Sequence, residues 1–147
     1  MTYTEYLKSH KLQKPDFKTF DIVTIDAPLA GFGPNGYVVI PDEMPLNYYS
    51  DYYQFLDDSP VGGLTFGGYL FITDGRVVVD ILDSDDFNGM RKFSAEDKAS
   101  LKEFKKYSLR AIGFDNQHFR TNEMNAVDGA NYLSRQLKQH YLEVNND

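Results

Sequence analysis

The sequence predicts an α+β fold in a single domain, residues 1–147, with a central, mostly antiparallel sheet packed by about four helices. Two long apolar segments are joined by Asp74-Gly75, the dipeptide that two-residue hairpin turns favour. Residues 125–144 have an amphipathic pattern of helical period. With 147 residues, of which 41% are hydrophobic, the chain is long enough to bury one core.

Five segments are predicted to be strands, because apolar residues alternate or run continuously in them and turn residues bound them. They are residues 17–25, 36–40, 64–73, 76–82 and 108–114. Phe20 and Ile22 are expected to face the core. The two strands of the 64–82 hairpin are so apolar that both are expected to be central and covered on both faces. Gly67 and Gly68 predict a bulge, or a close approach of another backbone, in the first of them.

Four segments are predicted to be helices, from apolar stripes at helical spacing and from capping or breaking residues near their ends. They are residues 2–11, about 45–56, about 95–107 and about 125–144. The last is the most regular, and one face of it is formed by Val127, Ala130, Leu133, Leu137 and Tyr141.

The helix predicted over residues 45–56 has two aromatic faces. One stripe suits the core and consists of Leu46, Tyr49, Tyr53 and Leu56. The other lies beside Asp51 and consists of Tyr48, Tyr52 and Phe55. A helix in a domain of this size does not easily bury both faces. Two interpretations stand: burial between two layers, or an exposed tyrosine ridge that contacts a partner.

Composition excludes several kinds of site and of protein. The chain has no cysteine, which excludes disulfides and thiolate metal sites. No apolar stretch approaches the roughly 20 residues that cross a bilayer, and the first residues lack the features of a signal peptide. The expected location is therefore the cytoplasm. The net charge of -7 argues against direct nucleic-acid binding, which depends on lysine and arginine.

The negative charge is concentrated in one part of the chain. Residues 19–90 contain twelve acids and one base, Arg76, whereas residues 1–18 and 91–147 each have a net charge of +2. Because burying an unpaired carboxylate is costly, most of these acids are expected at the surface. Such a surface would speed the encounter with a basic partner. The alternative is an acidic surface that only keeps the protein soluble.

Motifs for catalysis or metal binding are weak. Residues 83–89 approach a calcium loop, but Phe87 and Asn88 stand where the loop needs Asp or Asn and then Gly. The histidines are isolated from one another, which argues against a zinc site. Asp115 and His118 are close enough to form an oriented base, but no Gly-x-Ser-x-Gly nucleophile motif accompanies them. No catalytic residue, metal ligand or cofactor is therefore predicted.

The central segment resembles the SUKH superfamily, α+β proteins of which many are bacterial immunity proteins. The resemblance lies in Ile40-Pro41, then Tyr52-Tyr-Gln-Phe-Leu56, Gly62-Gly63 and Phe66-Gly-Gly-Tyr-Leu70. Residues 109–115 and the C-terminal helix are similar to that family's closing region. The resemblance implies a protein that binds and blocks a toxin, often a nuclease, without chemistry. A phage inhibitor of a host enzyme would have the same profile, so a bacterial cell or a phage-infected host is implied.

Charge, aromatic content and resemblance together predict a non-catalytic inhibitor or immunity-type protein. Its partner is expected to be a protein with a basic surface, such as a nuclease toxin or a host nucleic-acid enzyme, without membrane contact. The predicted contact surface consists of Tyr48, Asp51, Tyr52, Phe55, Asp57, Asp58, Asp83, Asp85 and Asp86. Two alternatives remain: a small enzyme with an unrecognised carboxylate or Asp/His site, and a structural subunit that assembles with itself through the aromatic surface.

Overall fold

The structure is a computed structural model that describes residues 7–8, 11–25, 35–41, 56–57, 61, 66–80, 95–114 and 125–145. Its strands are β1 (Leu12–Gln13), β2 (Ile22–Ile25), β3 (Asn35–Ile40), β4 (Phe66–Thr73), β5 (Arg76–Asp80) and β6 (Ser108–Phe114). Its helices are α1 (Ala95–Phe104), a 3-10 helix (Lys105–Tyr107) and α2 (Ala126–Asn145). The fold of the described chain is α+β, as the sequence predicts.

All strand pairs in the sheet are antiparallel, and β6 lies between β3 and β4. On the outer side of β3 lies β2, and β4 pairs with β5 through residues 69–73. β1 pairs with the last two residues of β4, just beyond Phe71, where the pairing of β4 with β6 ends. A strand has only two hydrogen-bonding edges, and β5 occupies one edge of β4. β1 and β6 therefore lie end to end along the other edge.

The hairpin of β4 and β5 turns where the sequence predicts it. Thr73 and Arg76 pair across the turn, and both central residues have a positive φ, 54° for Asp74 and 75° for Gly75. A type I′ turn needs a positive φ at both positions, and Asp-Gly tolerates this better than most dipeptides. The predicted two-residue turn is therefore confirmed.

Buried side chains cover both faces of the sheet, since successive residues of a strand point to opposite sides. On β4, Tyr69 and Phe71 pack with the helices, whereas Leu70 packs on the other face with Ala111 and Val23. All three β4 side chains are fully buried. The prediction that the first strand of the hairpin is central and covered on both sides is confirmed.

Helix α2 packs on the first of these faces through Ala126, Ala130, Leu133 and Leu137, all buried. Its first turn is capped by Asn125, whose Oδ1 accepts the N–H of Asp128 at 2.8 Å. The closest approach is at Gly129. A Cβ there would lie 2.7 Å from Cγ1 of Val61 and 2.9 Å from Cζ of Phe114. Gly129 therefore lets the helix come close to the sheet.

Phe114 also fills the space above Gly36, to which it is paired across β3 and β6. A Cβ on Gly36 would lie 2.6 Å from Cζ of Phe114. The phenyl ring thus lies against two glycines, one from the sheet and one from the helix. Glycine is required at both positions because the ring fills the volume that a side chain would take.

The predicted number of about four helices is wrong. Within the described ranges, only α1 and α2 are α-helices of a full turn or more. Of the helix predicted over residues 2–11, only Leu7, Lys8 and Lys11 are described. Leu7 and Lys8 are α-helical, Lys11 is not, and β1 begins at Leu12. The helix predicted over residues 45–56 lies outside the described residues except for its last, Leu56. No helix of the described chain is long and apolar enough to span a membrane.

Other details of the prediction are also corrected. The predicted strand 17–25 begins only at Ile22, because residues 18–21 form a turn. Gly67 and Gly68 form no bulge, since each pairs in continuous register with β6. On α2, Val127 is 49% exposed. The residue one position earlier, Ala126, is the one that faces the core.

The second strand of the hairpin, β5, also differs from its prediction. Among the described residues it pairs only with β4, and its three valines, Val77, Val78 and Val79, are half-buried. A central strand has a neighbour on each side, and its apolar residues are buried on both faces. Although its residues are apolar, β5 is therefore an edge strand of the described sheet.

We expect Gly129→Ala to destabilise the protein although alanine is the better helix former. The gain in helix propensity is about 1 kcal/mol. Overpacking against a filled core costs about 1–3 kcal/mol, and neither Val61 nor Phe114 is exposed enough to move outward. The net loss of unfolding free energy should be about 1 kcal/mol, within a range of about 0–2 kcal/mol, measured by urea denaturation.

Asn131→Ala is the matched control, because Asn131 is exposed on the same helix and gains propensity without a clash. It should leave stability unchanged or raise it by a few tenths of a kcal/mol. A Gly129→Ala protein as stable as this control would contradict the close packing of α2 on Phe114.

Candidate functional site

Of the nine residues in the predicted contact surface, only Asp57 lies within the described chain. The other eight lie outside it: Tyr48, Asp51, Tyr52, Phe55, Asp58, Asp83, Asp85 and Asp86. Their mutual arrangement therefore stays a prediction. What the structure shows is how Asp57 is held and which elements hold it.

The backbone of Asp57 is held by one side chain of α2. Its N–H donates to Oε1 of Gln136 at 2.8 Å, and its carbonyl accepts from Nε2 of Gln136 at 3.0 Å. A primary amide has a donor and an acceptor side by side, so one glutamine satisfies both backbone groups. These contacts join positions 79 residues apart in sequence.

The carboxylate of Asp57 is oriented by the same helix, one turn earlier. The hydroxyl of Tyr132 donates to Oδ2 of Asp57 at 2.9 Å. This hydrogen bond raises the pKa of Tyr132 above its ordinary value, and desolvation and the negative charge of Asp57 act in the same direction. Tyr132 and Gln136 lie four residues apart, which places both on one side of the helix.

The chain next to Asp57 is anchored in the core. Leu56 is 6% exposed and Val61 is fully buried, whereas Asp57 itself is exposed. Both apolar side chains belong to the cluster that α2 packs on. An exposed carboxylate between buried anchors, fixed at its backbone and side chain, is suited to presentation at a surface.

A second site, which the sequence did not predict, is a cavity of about 390 Å³ where β3 ends and β6 begins. Its apolar wall consists of Phe17, Phe20, Val39, Ile40, Pro41, Leu109 and Tyr141. Thr19 and Arg110 complete the lining. The cavity has the volume of a small-molecule site at the lower end of the usual range.

The turn at residues 18–21 forms one wall of this cavity. The N–H of Asp21 donates to the carbonyl of Lys18 at 2.9 Å, and Oδ2 of Asp21 accepts the N–H of Lys18 at 2.8 Å. Phe20 within the turn has a φ of 71°, a conformation that side-chain-bearing residues rarely adopt. For a phenylalanine this strain is about 1–3 kcal/mol.

Three contacts hold Phe20 in this conformation. Its N–H donates to the carbonyl of Val39 at 2.7 Å, and its own carbonyl accepts from Oγ of Ser134 at 2.6 Å. Its ring lies 5.6 Å from that of Tyr141, at an interplanar angle of 59°. Two of the three partners, Ser134 and Tyr141, are on α2. The strained residue is thus fixed by the sheet and by the helix together.

The charged residue in the cavity lining is Arg110. It lies within β6, opposite Ile40 and Tyr69, and is half-buried. Strand alternation places its side chain on the same face as those of Ile112 and Phe114, the face on which α2 packs. Arg110 thus brings a guanidinium group, with its fixed fork of N–H donors, to this wall of the cavity.

The sequence contained little signal for this cavity. The alternation of residues 17–25 predicts Phe20 in a strand with its side chain facing the core. Its ring does pack against the core cluster, but the residue itself lies in a turn. The Asp21 side chain that closes the turn is a usual turn residue, but the partners of Phe20 are far away in sequence. Arg110, a charge between apolar residues of a central strand, was the one indication of an unusual site.

Neither of the catalytic alternatives is tested by the described residues. Asp115 and His118, the possible oriented base, lie outside them. Within the described ranges no group of three histidine, aspartate or glutamate residues is placed to hold a metal ion.

The hydrogen bond from Tyr132 to Asp57 should make stability depend on pH in the alkaline range. Because the folded state raises the pKa of Tyr132, the contribution is complete below the unfolded value of about 10 and is lost as pH rises through the folded pKa. Tyr132→Phe should therefore lower the urea midpoint slightly at pH 7. It should also remove part of the stability loss that the native chain shows as pH rises above about 10.

Tyr107→Phe serves as the control, since its hydroxyl makes a longer contact of 3.4 Å with Glu103 and does not touch Asp57. Urea midpoints of the two variants and the native chain across this range would decide the matter. Equal alkaline losses in the native chain and in Tyr132→Phe would show that the tyrosine does not hold Asp57.

Comparisons with protein-family models, with curated proteins and with solved structures found no match for this chain. The resemblance to the SUKH superfamily therefore stays a prediction from short motifs.

Proposed function

We propose that this protein is a non-catalytic inhibitor or immunity-type protein that binds a basic protein partner through an acidic, tyrosine-rich surface. The partner is of the kind that itself acts on nucleic acid, such as a nuclease toxin, and the inhibitor covers its basic groove. The proposed surface consists of aromatic and acidic residues from two segments: Tyr48, Asp51, Tyr52, Phe55, Asp57 and Asp58 from the first, and Asp83, Asp85 and Asp86 from the second.

The observation that carries this proposal is the ratio of twelve acids to one base over residues 19–90. The positive field that attracts phosphates to a basic groove also attracts that groove to a surface dense in carboxylates. Encounter rates rise by a factor of about 10 or more at low ionic strength when such fields are complementary. Tyrosine provides the contact area, since its ring is apolar and its hydroxyl can stay hydrated.

The contacts of Asp57 support the proposal. Gln136 fixes the backbone of Asp57, Tyr132 orients its carboxylate, and the neighbouring Leu56 is buried. A residue already fixed before a partner arrives loses less conformational entropy on binding than a mobile one. Asp57 thus joins the proposed contact surface to the core as a preformed element.

The proposal is tested by capturing a partner from the source cell with the immobilised chain, at low and at high salt. A basic protein retained at low salt and released at high salt is expected, because exposed charge pairs are screened. A discrete large oligomer of the chain alone, seen by light scattering, would instead indicate self-assembly and contradict the proposal.

With the partner in hand, replacing Asp83, Asp85 and Asp86 by asparagine should slow association. The expected fall in on-rate is about 3- to 10-fold at low salt, with a flatter dependence on ionic strength. The matched control removes three acids from the C-terminal part, through Glu96→Gln, Glu143→Gln and Asp147→Asn. If both triple variants slow association equally, net charge matters and the proposed surface does not.

Tyr52→Ala distinguishes an anchor from a core residue. An anchor in the interface should raise the off-rate by about 10-fold or more and leave the melting temperature nearly unchanged. A fall of many degrees in the melting temperature of the free protein would place Tyr52 in the core and remove it from the contact surface.

A further inference from the structure

The outer edge of β5, Arg76–Asp80, has a sequence that is complementary to a second copy of itself. Among the described residues β5 pairs only with β4, so in that part of the chain no strand lies along its other side. We propose that two copies of this protein pair there, β5 against β5 and antiparallel, to form a two-fold dimer. This inference does not depend on the proposed partner binding.

The hairpin turn decides which backbone groups of β5 point outward. In a type I′ turn the carbonyl of Thr73 accepts the N–H of Arg76, so the backbone groups of Arg76 face β4. Hydrogen-bonded and non-hydrogen-bonded pairs then alternate along an antiparallel ladder. The N–H and carbonyl groups of Val77 and Val79 therefore point away from β4. These are the groups with which a further strand would pair.

One antiparallel register uses all of these groups. If two copies of β5 meet at Val78, then Val77 of each copy lies opposite Val79 of the other. Both residues present their backbone groups at the outer edge, so each such pair exchanges both of its N–H···O bonds. The same register places Arg76 of each copy opposite Asp80 of the other.

The charges of the strand favour this register over others. Opposite charges directly across a strand pair stabilise it, and like charges destabilise it. Because β5 begins with arginine and ends with aspartate, the register centred on Val78 gives an opposite-charge pair at both ends. A register centred on either end residue would instead place two like charges side by side. Arg76 is also the one base of the acidic segment, residues 19–90. The charges thus favour a second, antiparallel copy as the occupant of this edge.

The apolar composition of β5 also fits an edge that becomes covered in an assembly. Its three valines, Val77, Val78 and Val79, are half-buried in the single chain. Edge strands are usually protected from pairing by lysine, proline or a bulge. β5 contains no lysine or proline, and its continuous register with β4 leaves no room for a bulge. A second copy would bury more of the valines and satisfy the outward backbone groups.

The dimer is expected to be weak and closed. A strand of 5 residues from each copy makes a small interface, which is typical of weak association. A two-fold pair uses the outer edge of both β5 strands, so pairing through β5 stops at two copies. We therefore expect half of the chains to be in dimers at a concentration of about 0.1 mM.

The test is sedimentation velocity of the full chain from about 10 µM to about 1 mM, with amide hydrogen exchange followed by NMR at the same concentrations. The native chain should pass from monomer to dimer over this range. Exchange of the amides of Val77 and Val79 should slow about threefold or more, because they become hydrogen-bonded. Exchange at Val78, whose amide already faces β4, should not depend on concentration. A chain that stays monomeric at about 1 mM overturns the proposal.

Charge reversal tests the register. Arg76→Asp and Asp80→Arg each turn both opposite-charge pairs into like-charge pairs, so each variant alone should dimerise about tenfold more weakly. Mixed in equal amounts, the two variants should form a heterodimer at least as stable as the native dimer. In that heterodimer every pair at the strand ends again joins opposite charges.

Lys138→Asp is the matched control, since it changes the net charge as Arg76→Asp does. Lys138 is exposed on α2, which packs on β2 and β3 and not on β5. This control should dimerise as the native chain does. Equal weakening by Arg76→Asp and Lys138→Asp, or a mixture of the two charge-reversal variants that stays monomeric, would overturn the proposal. Should either charge-reversal variant fail to fold, the concentration dependence of exchange in the native β5 still decides.

Discussion

The close packing of α2 on the sheet is the constraint on which the rest of the structure depends. The ring of Phe114 lies against two positions without side chains, Gly36 in β3 and Gly129 in α2. Filled cores tolerate little change in volume, so this contact sets the distance between the helix and the sheet. The distance in turn decides which side chains of α2 can reach the loops at its flanks.

The segment around Asp57 and the cavity at Phe20 both lie at the flanks of α2. Successive residues on a helix are rotated by about 100°, so the neighbours of buried Leu133 emerge on opposite sides of the apolar stripe. Tyr132 and Gln136 emerge on one side and hold Asp57. Ser134 and Tyr141 emerge on the other side and hold Phe20 at the cavity. A change in the rotation of α2 would therefore alter the acidic segment and the cavity together, although they share no residue.

The parts of the fold that the sequence predicts are those decided by local chemistry. Asp74 and Gly75 specify their turn by their own conformational preferences, and the strand 108–114 is bounded by its own composition. The errors in the predicted fold come from contacts between residues that are far apart in the sequence. The alternation of residues 17–25 is compatible with a strand, and only bonds to β3 and α2 place Phe20 in a turn. The apolar stripe of α2 is correct in period, yet its first position is shifted from Val127 to Ala126, because a stripe more than 100° wide does not define its own edge.

The same distinction applies to the predicted acidic surface. The absence of lysine and arginine between residues 18 and 76 suggested carboxylates without partners, but two of the described acids accept hydrogen bonds from neutral donors. Asp21 accepts from the backbone N–H of Lys18, and Asp57 accepts from the phenol of Tyr132. A neutral donor orients a carboxylate without cancelling its charge, so these contacts are compatible with a negative surface. They also mean that replacing Asp57 would disturb the α2 contacts and the surface charge at once. Replacing acids that α2 does not hold would therefore change the surface charge without disturbing these contacts.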